Sequence, residues 1–412
     1  MLVCMEVLLL ALGGLLLLVG GGMVEGAAIK VNVGNMSKLD DAAYFHLYYG
    51  NTFKVIKNDL DGKSYLLIQN NSRMAPRTKY CTPRIKSFVV PISNFSMDAR
   101  YFPGLFFILR GEIMRLFLLG LMPTMKGITS EKVASPCLLK LYNEGELQML
   151  NNSEPQQFSQ YAAHFIGHDD DQETQSCNYV TFFPRDEQAP LQRAEWIKYL
   201  GIFANDEVRA NEIYDAVKSN YMCLVNSVAS KNLKPTVAWM EFNDGAWSFT
   251  DEAYKLKYVE DAGGENLDDS INKITYNTSS IEDLELLHAI LCTVDVVIDG
   301  TLTTDPFGYN ATLFLQNLNI DDKSCFGFLS SQSVWRHDKR LSTDLALDWF
   351  DGAVSQPQLV LADLIEVLFP SGNYTTTYFR NLLKEEEPIT LGPENCTRDT
   401  FTPMELTLIT CP

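Results

Sequence analysis

Residues 206–229, with the sequence DEVRANEIYDAVKSNYMCLVNSVA, show the apolar spacing of a long amphipathic helix. One apolar face is marked at steps of three and four by Ala210, Ile213, Tyr214, Val217, Tyr221, Leu224, Val225 and Val228. Asn205 and Asp206 supply a cap before an acidic first turn. At 1.5 Å per residue this helix is roughly 36 Å long, which is more than a small lobe needs. The pattern therefore predicts a helix that spans two lobes.

Short apolar strands alternate with helices on both sides of this helix. The predicted strands are Ser87–Pro91, Lys126–Thr129, Cys177–Phe183, Pro235–Phe242 and Val294–Ile298. The predicted helices after the long one are Glu252–Ala262, Ile281–Leu291 and Leu359–Leu368, and Leu105–Met122 is a further amphipathic candidate. This alternation predicts an α/β fold of two Rossmann-like lobes with parallel sheets, joined by a long linker helix.

Six segments follow from these patterns. We predict a signal peptide over 1–28, an N-terminal preface over 29–84 and an N-terminal α/β lobe over 85–204. The interlobe helix takes 205–230, the C-terminal α/β lobe 231–370, and a disulfide-tethered tail 371–412.

The amino terminus has the features of a secretion signal. Val7 to Val19, VLLLALGGLLLLV, has the length of a signal-peptide core, and Gly26-Ala27-Ala28 offers a cleavage site. The segment before the core carries Glu6 and no Lys or Arg, so an uncleaved anchor is the alternative. The chain is predicted to enter the secretory pathway, as a secreted or cell-surface protein.

Cysteine usage agrees with secretion. Without Cys4 in the signal, eight cysteines remain, at Cys81, Cys137, Cys177, Cys223, Cys292, Cys325, Cys396 and Cys411. Their wide spacing and the lack of any C-x-x-C favour disulfides over zinc or a redox dithiol, with buried free thiols as the alternative. One pairing is predicted, Cys396–Cys411, which would tie down the tail.

Eight N-x-S/T sequons predict a glycoprotein. They begin at Asn35, Asn70, Asn94, Asn151, Asn277, Asn310, Asn373 and Asn395.

Composition excludes two classes of protein. Hydrophobic residues make up 46% of the 412 residues, which rules out a mainly disordered chain. The formal charge of −19 repels a phosphate backbone, and no basic stripe reverses it locally, so nucleic acid is not an expected partner.

The order and spacing of these segments resemble one group of periplasmic substrate-binding proteins, which carry vitamin B12, ferric siderophores or haem. The resemblance runs from about residue 87 to 370. It lies in Val89-Val90-Pro91 with Ser93 and Ser96, Leu118–Leu121 before Lys126–Thr129, Tyr199–Gly201 with Asn205–Tyr221, Lys234–Trp239, Asp261–Asn266, Val294–Ile298 and Pro357–Pro370. Among eukaryotic proteins the chain looks most like secreted plant and algal relatives, such as algal cobalamin-acquisition proteins.

The resemblance implies a non-catalytic, monomeric binder that closes two lobes around a cofactor-sized ligand of the corrinoid, haem or iron-chelate class. A membrane transporter or receptor would take the ligand onward, and no resident cofactor or metal is implied. The sequons, the cysteines, the preface and the tail are departures from the bacterial pattern.

Ligands of two-lobed α/β binders lie at the carboxyl ends of the strands, so the residues that follow each strand are the candidates. They are Ser93, Phe95, Asp244, Trp247, Phe249, Trp335 and Arg336. Trp247 and Trp335 suit stacking on a flat ligand, and Arg336 suits a carboxylate or phosphate. The alternative is that both tryptophans pack in a lobe core.

Other chemistries have weaker support in the sequence. His164 and His168, before Asp169-Asp170-Asp171, have the spacing of a metal pair on a helix, but Gly167 and the acidic run favour a helix end, so no metal is predicted. No G-x-S-x-G, H-E-x-x-H, Walker or G-x-G-x-x-G motif occurs. A secreted glycan or ester hydrolase and an extracellular structural glycoprotein with a vestigial cleft remain the alternative functions.

Overall fold

A computed structural model describes residues 36–98, 125–129, 133–151, 153–167, 176–268, 270–271, 273–320, 323–397, 399 and 406–411. These residues belong to one compact unit, 33–412. The predicted signal peptide 1–28, the sequon at Asn35 and the predicted helix 105–122 lie outside the described residues. Within the described ranges, no helix combines the length and the apolar character needed to cross a membrane.

In the described residues, the first half of the chain contains nine strands and three α-helices. The strands are β1 Phe45–Tyr49, β2 Phe53–Asn58, β3 Lys63–Gln69, β4 Ile85–Val90, β5 Phe95–Met97, β6 Met125–Ile128, β7 Gln148–Met149, β8 Ala163–Ile166 and β9 Tyr179–Thr181. The helices are α1 Pro136–Asn143, α2 Pro190–Ala204 and α3 Glu207–Val228.

The second half alternates strands and helices as predicted. Its strands are β10 Thr236–Asn243, β11 Ala246–Phe249, β12 Glu265–Asn266, β13 Thr275–Asn277, β14 Val296–Asp299, β15 Val334–Arg336, β16 Arg340–Ser342, β17 Arg380–Asn381 and β18 Ile389–Leu391. Its helices are α4 Ala253–Asp261, α5 Ile281–Leu291, α6 Ala311–Leu318, α7 Gly327–Ser330 and α8 Pro357–Leu368.

The predicted fold class is confirmed. A five-stranded parallel sheet has the order β7-β6-β5-β8-β9, and a second sheet is built on parallel pairings of β10 with β12 and β14, and of β14 with β15. Antiparallel strands β11, β13 and β17 extend the second sheet at its edges. Helices α3, α4 and α8 pack on one face of the second sheet, and α5, α6 and α7 pack on the other.

The preface forms a four-stranded sheet, β1-β2-β3-β4, that the prediction did not include. β1, β2 and β3 pair antiparallel, and β4 pairs parallel with β3. The strand predicted at Ser87–Pro91, which the boundary at residue 85 placed with the N-terminal lobe, is thus an edge strand of the preface sheet. Lys86, Phe88 and Val90 alternate toward the buried face of this strand, which is the period-2 pattern of a half-buried sheet.

Helix α2 is buried on every side, because each residue from Arg193 to Phe203 is buried. Trp196, Tyr199 and Phe203 form an aromatic column, with ring centroids 5.1 and 5.6 Å apart. Phe45 of the preface sheet meets Trp196 edge-on at 4.9 Å, and Phe182, which follows β9, meets it at 5.4 Å. The helix therefore lies between the preface sheet and the five-stranded sheet, in one shared core.

Buried carboxylates anchor the preface to α2. Glu195, which has no exposed surface, accepts hydrogen bonds from the backbone N–H groups of Asp40, Asp41 and Ala42 at 2.9, 2.7 and 2.6 Å. Lys198 Nζ lies 2.8 Å from the same carboxylate. The charge is thus fully hydrogen-bonded, which is the condition under which a buried ion stabilises a fold.

The linker helix is α3, whose bounds differ from the predicted 206–229 by one residue at each end. Its first half, with Ile213 and Val217, packs in the N-terminal core, and its second half, with Tyr221 and Leu224, packs in the C-terminal core. Gly201 of α2 lies against Ala210 of α3, where an added Cβ would meet the alanine Cβ at 2.5 Å. Glycine at this position permits the two helices to pack closely.

The predicted Cys396–Cys411 disulfide is wrong. All eight cysteines are paired, as Cys81–Cys177, Cys137–Cys396, Cys223–Cys411 and Cys292–Cys325. The physical reason is that the tail does not fold back on itself. Its 393–395 turn packs on α1, which carries Cys137, whereas Cys411 lies beside Cys223 in the linker helix.

Residues 406–411, which we call the strap, lie across both cores. Leu406 packs against the N-terminal core and Ile409 against the C-terminal core. The backbone N–H and C=O of Ile409 both bond to the Asn220 side chain of α3, each at 2.8 Å. The Thr407 backbone N–H donates to Gln356, the N-cap residue of α8, and its C=O accepts from Gln358 in the first turn of α8. Together with the Cys137–Cys396 bond, the strap links the two lobes.

Substitution Glu195→Ala is expected to lower the free energy of unfolding by about 3–5 kcal/mol, because it leaves three backbone N–H groups without their acceptor and removes the carboxylate that pairs with the buried Lys198. Urea unfolding of the full chain measures this. Glu212→Ala, at an exposed position of α3, is the matched control, with an expected change within about 0.5 kcal/mol. Equal effects of the two substitutions would contradict the anchoring role of Glu195.

Candidate functional site

In the described residues, the two lobes contact each other next to the carboxyl end of β9. The chain there forms a 3₁₀ turn, Pro184–Asp186, and Arg185 Nη2 lies 3.8 Å from Glu252 Oε1, at the start of α4. The residues that follow β5, β6 and β8, namely 99–124, 130–132 and 168–175, lie outside the described residues. The N-terminal side of the site is therefore described by this turn and by α2.

A small cavity lies where α2, α4 and residues 349–354 meet, and we call it the junction cavity. Its lining residues are Pro190, Arg193, Tyr254, Tyr258, Trp349, Ala353 and Val354. The Arg193 guanidinium lies 3.4 Å from the centre of the Tyr254 ring, which is a cation–π contact. The cavity volume is about 10 Å³, the space of about one water molecule. In this structure the two lobes meet almost without a gap at this point.

A buried lysine follows Tyr254, which lines the cavity. Lys255 of α4 is buried and lies 2.9 Å from Glu241, and it also contacts Glu252. Burial alone lowers the pKa of this lysine, but Tyr254 and the two carboxylates outweigh it and raise the pKa above its ordinary value. Lys255 therefore stays protonated at physiological pH, and Glu252 meets two cations, Lys255 and Arg185.

His337, directly after β15, sits in an aromatic enclosure. Its ring centroid is 4.8 Å from that of Trp349 and 6.2 Å from that of Trp239. His337 Nδ1 and the indole nitrogens of Trp239 and Trp349 are buried and make no hydrogen bond with other described residues. We call these three residues the imidazole–indole cluster. Buried ring nitrogens of this kind are available to hold a water or an acceptor group of a ligand.

Burial lowers the pKa of His337 well below its usual range, and the nearby cations Lys255 and Arg336 lower it further, against the raising effect of Asp338. The imidazole is therefore neutral at physiological pH.

Trp247, predicted to stack on a ligand, packs in the core of the C-terminal lobe. The residues after β10 form a hairpin that turns at Asp244 and returns as β11, rather than an open loop. Trp247 is fully buried, donates its indole N–H to Asn317 O at 2.9 Å, and meets Phe314 edge-on. Phe249 is buried on the same face, whereas Asp244 is exposed at the turn. Trp247 therefore packs in a lobe core, which was the alternative to stacking on a ligand.

Arg336 and Trp335 lie on β15, close to the imidazole–indole cluster but turned away from solvent. Arg336 bonds to Asp299 and Asp338, each at 2.8 Å, and to the backbone oxygen of Thr301 at 2.6 Å. Burial lowers the pKa of this arginine, yet the two carboxylates raise it above its ordinary value. Its donors are thus used inside the lobe, and Trp335 is buried in the core beside it.

The predicted residues of the N-terminal lobe are not brought together with those of the C-terminal lobe. Phe95 is fully buried in the N-terminal core, and Ser93 is exposed in the turn before it. Ser96 Oγ and His164 Nδ1 are 2.8 Å apart, but both side chains are buried, and the Phe158 ring covers the imidazole at 4.3 Å.

The predicted helix around His164 is wrong, because His164 lies on strand β8, and His168 lies outside the described residues. Within the described part of the chain, no group of three or more His, Cys, Asp or Glu side chains is placed to hold a metal ion.

The junction residues were missed because they do not follow the predicted strands. Arg193 sits near the start of α2, and Trp349 lies in a 3₁₀ turn between β16 and α8. One feature of the sequence could have indicated Trp349. Asp348-Trp349-Phe350-Asp351 places two aromatic residues between two acidic ones, which is unusual for a solvated loop.

Neither a protein-family model nor a curated protein matches this sequence. Solved structures similar to the chain include an ABC transporter substrate-binding protein from Listeria monocytogenes EGD-e, with 17% identity and a TM-score of 0.46, over 68% of this chain and 100% of that one. A possible iron-binding (periplasmic solute-binding) protein from Staphylococcus epidermidis ATCC 12228 has 14% identity and a TM-score of 0.47, over 68% and 99%. A periplasmic heme-binding protein from Pseudomonas aeruginosa has 13% identity and a TM-score of 0.44, over 68% of this chain and 94% of that one. These are likenesses of fold.

Because the folded His337 resists protonation, the free energy of unfolding is expected to fall as the pH drops below about 6.5, where the unfolded chain takes up a proton that the folded chain does not. The slope from this one group is up to about 1.4 kcal/mol per pH unit. Urea unfolding at a series of pH values should show a smaller slope for His337→Phe than for the wild type. A His337→Phe slope equal to that of the wild type would show that His337 is not the group.

Proposed function

We propose that this chain is a secreted, non-catalytic solute-binding glycoprotein that holds a cofactor-sized molecule between its two lobes and passes it to a membrane partner. The observation that carries the proposal is the helix α3, which runs without a break from one hydrophobic core into the other. Two parallel-stranded lobes on one continuous helix provide a cleft whose walls move as rigid bodies.

The helix and the strap together favour a small opening of the lobes. A continuous helix bends less than a pair of crossing strands, and the Cys137–Cys396 bond ties the tail to the opposite lobe. A rotation of about 10° moves a point roughly 20 Å from the hinge by about 3.5 Å, the contact thickness of a flat ring. This limited opening of the lobes therefore suits a flat ligand that binds between α2 and α4.

The side chains at the junction suit a flat ligand with anionic groups. Tyr254, Tyr258 and Trp349 offer aromatic faces, and Arg185 and Arg193 offer guanidinium groups on the opposite wall. Arg185 Nη1 is buried and makes no hydrogen bond with other described residues. The corrinoid, haem and iron-chelate class fits this chemistry, and a ligand of that size requires the junction to open.

Thermal melting of the glycosylated, secreted chain tests the proposal against cobalamin, cobinamide, haem and ferric siderophores. A ligand at 100 times its Kd is expected to stabilise the fold by about 2.7 kcal/mol and to raise the Tm by a few degrees. Arg185→Gln should reduce the shift for an anionic ligand, because it removes a cation from the junction wall. Arg77→Gln, at an exposed position of the preface, should leave the shift unchanged. No shift with any of these molecules would overturn the proposed ligand class.

Glycan occupancy tests the proposed secretion. At Asn151, Asn277, Asn310 and Asn395 the side-chain oxygen accepts a backbone hydrogen bond, which leaves the exposed amide nitrogen available for a glycan. Asn94 differs, because its amide nitrogen donates to Gln160 O at 3.2 Å and its sequon serine, Ser96, is fully buried. Mass spectrometry of glycopeptides is expected to find glycans at these four sites and to find Asn94 unmodified. Exported protein without a glycan at any sequon would contradict the proposed glycoprotein.

A further inference from the structure

An open groove lies on the C-terminal lobe, away from the junction cavity. It has a volume of about 320 Å³ and runs between α8, residues 373–377 and the strap. Its lining includes Asn373, Tyr374, Thr375, Leu408 and Thr410. This volume is at the lower end of the roughly 300–1,000 Å³ of pockets that hold small organic molecules.

Two carboxylates on α8 hold the loop that forms one wall of the groove. Glu366 accepts the backbone N–H groups of Ser371 and Gly372 at 2.8 and 2.6 Å. Asp363, which is buried, accepts those of Thr377 and Tyr378 at 2.7 and 2.6 Å. The loop between these anchors is thus fixed in place, and it presents Asn373 at the rim of the groove.

Asn373 begins the sequon Asn373-Tyr374-Thr375 and is exposed. Its side-chain amide makes no hydrogen bond with other residues of the described chain. A glycan added here during synthesis would start at the rim, and its covalent attachment would hold the first sugars at high effective concentration beside the groove.

We propose that the groove is the seat of the N-linked glycan of Asn373, and that the glycan's N-acetylglucosamine core packs on the strap. The lining matches a sugar: Leu408, which is 57% exposed, and Tyr374 offer apolar surface, and Thr375, Thr377 and Thr410 offer hydroxyl groups. The backbone of Thr407 and Ile409 is bonded on the inner side, to Gln356, Gln358 and Asn220, so the strap presents Leu408 on its outer side.

The seated glycan would cover the outer side of the strap, and thereby reinforce the link between the lobes. This inference rests on the proposed entry into the secretory pathway and does not depend on the identity of the ligand.

Enzymatic deglycosylation of the native, secreted full-length chain gives the first test. An amidase that cleaves the sugar–asparagine bond needs access to the core sugars. The Asn373 glycan is expected to be released about tenfold more slowly than the Asn277 glycan, which corresponds to about 1.4 kcal/mol of local packing. After denaturation the two rates should be equal. Equal rates on the native protein would overturn the proposal.

Hydrogen exchange of the peptide that contains residues 406–411 gives the second test. Asn373→Gln and Thr375→Ala both remove the sequon and are expected to speed exchange in this peptide. Thr375→Ser keeps the sequon and Asn277→Gln removes a glycan elsewhere, so both should exchange like the wild type. Unchanged exchange in Asn373→Gln would overturn the proposed packing of the glycan in the groove. An unmodified Asn373 on a chain glycosylated elsewhere would do the same. Neither outcome would affect the proposed secretion. A chain with no glycan at any site would instead contradict the proposed secretion.

Discussion

The structure depends on the burial of α2 on every side. A helix with Trp196, Tyr199 and Phe203 in one column, and Glu195 and Lys198 buried beside it, cannot be left in water or covered by a single sheet. The five-stranded sheet covers one side and the preface sheet covers another. The preface is therefore an integral part of the fold, since without it the aromatic column and the buried ion pair would be exposed.

The same helix sets the position of the candidate site. Its first turn contributes Pro190 and Arg193 to the junction cavity, and its end leads within two residues into the linker helix α3. At that turn Lys54 of the preface bonds to Asn205 and pairs with Glu207. The wall of the junction and the start of the linker are thus held together by the same contacts.

The disulfides and the strap limit that motion in a second way. Cys137–Cys396 connects segments 259 residues apart, and Cys223–Cys411 returns the tail to the linker helix. A small core-to-core displacement is compatible with both, whereas a wide hinge opening would have to break the packing of Leu406 on the N-terminal core or of Ile409 on the C-terminal core. The proposed solute-binding function therefore requires ligand exchange through small displacements of the lobes.

The sequence by itself determined the features that local periodicity carries. The helix at 281–291 was predicted to the residue, and the linker helix to within one residue at each end, because helical spacing is a property of neighbouring residues. Only the tertiary structure decided the cysteine partners, the pairing of β4 with the preface, and the burial of Trp247 against Phe314. These depend on residues far apart in the chain, whose contacts no local pattern specifies. The same holds for the candidate site. The sequence indicated aromatic and cationic residues, but the packing between the lobes determined which of them are in contact.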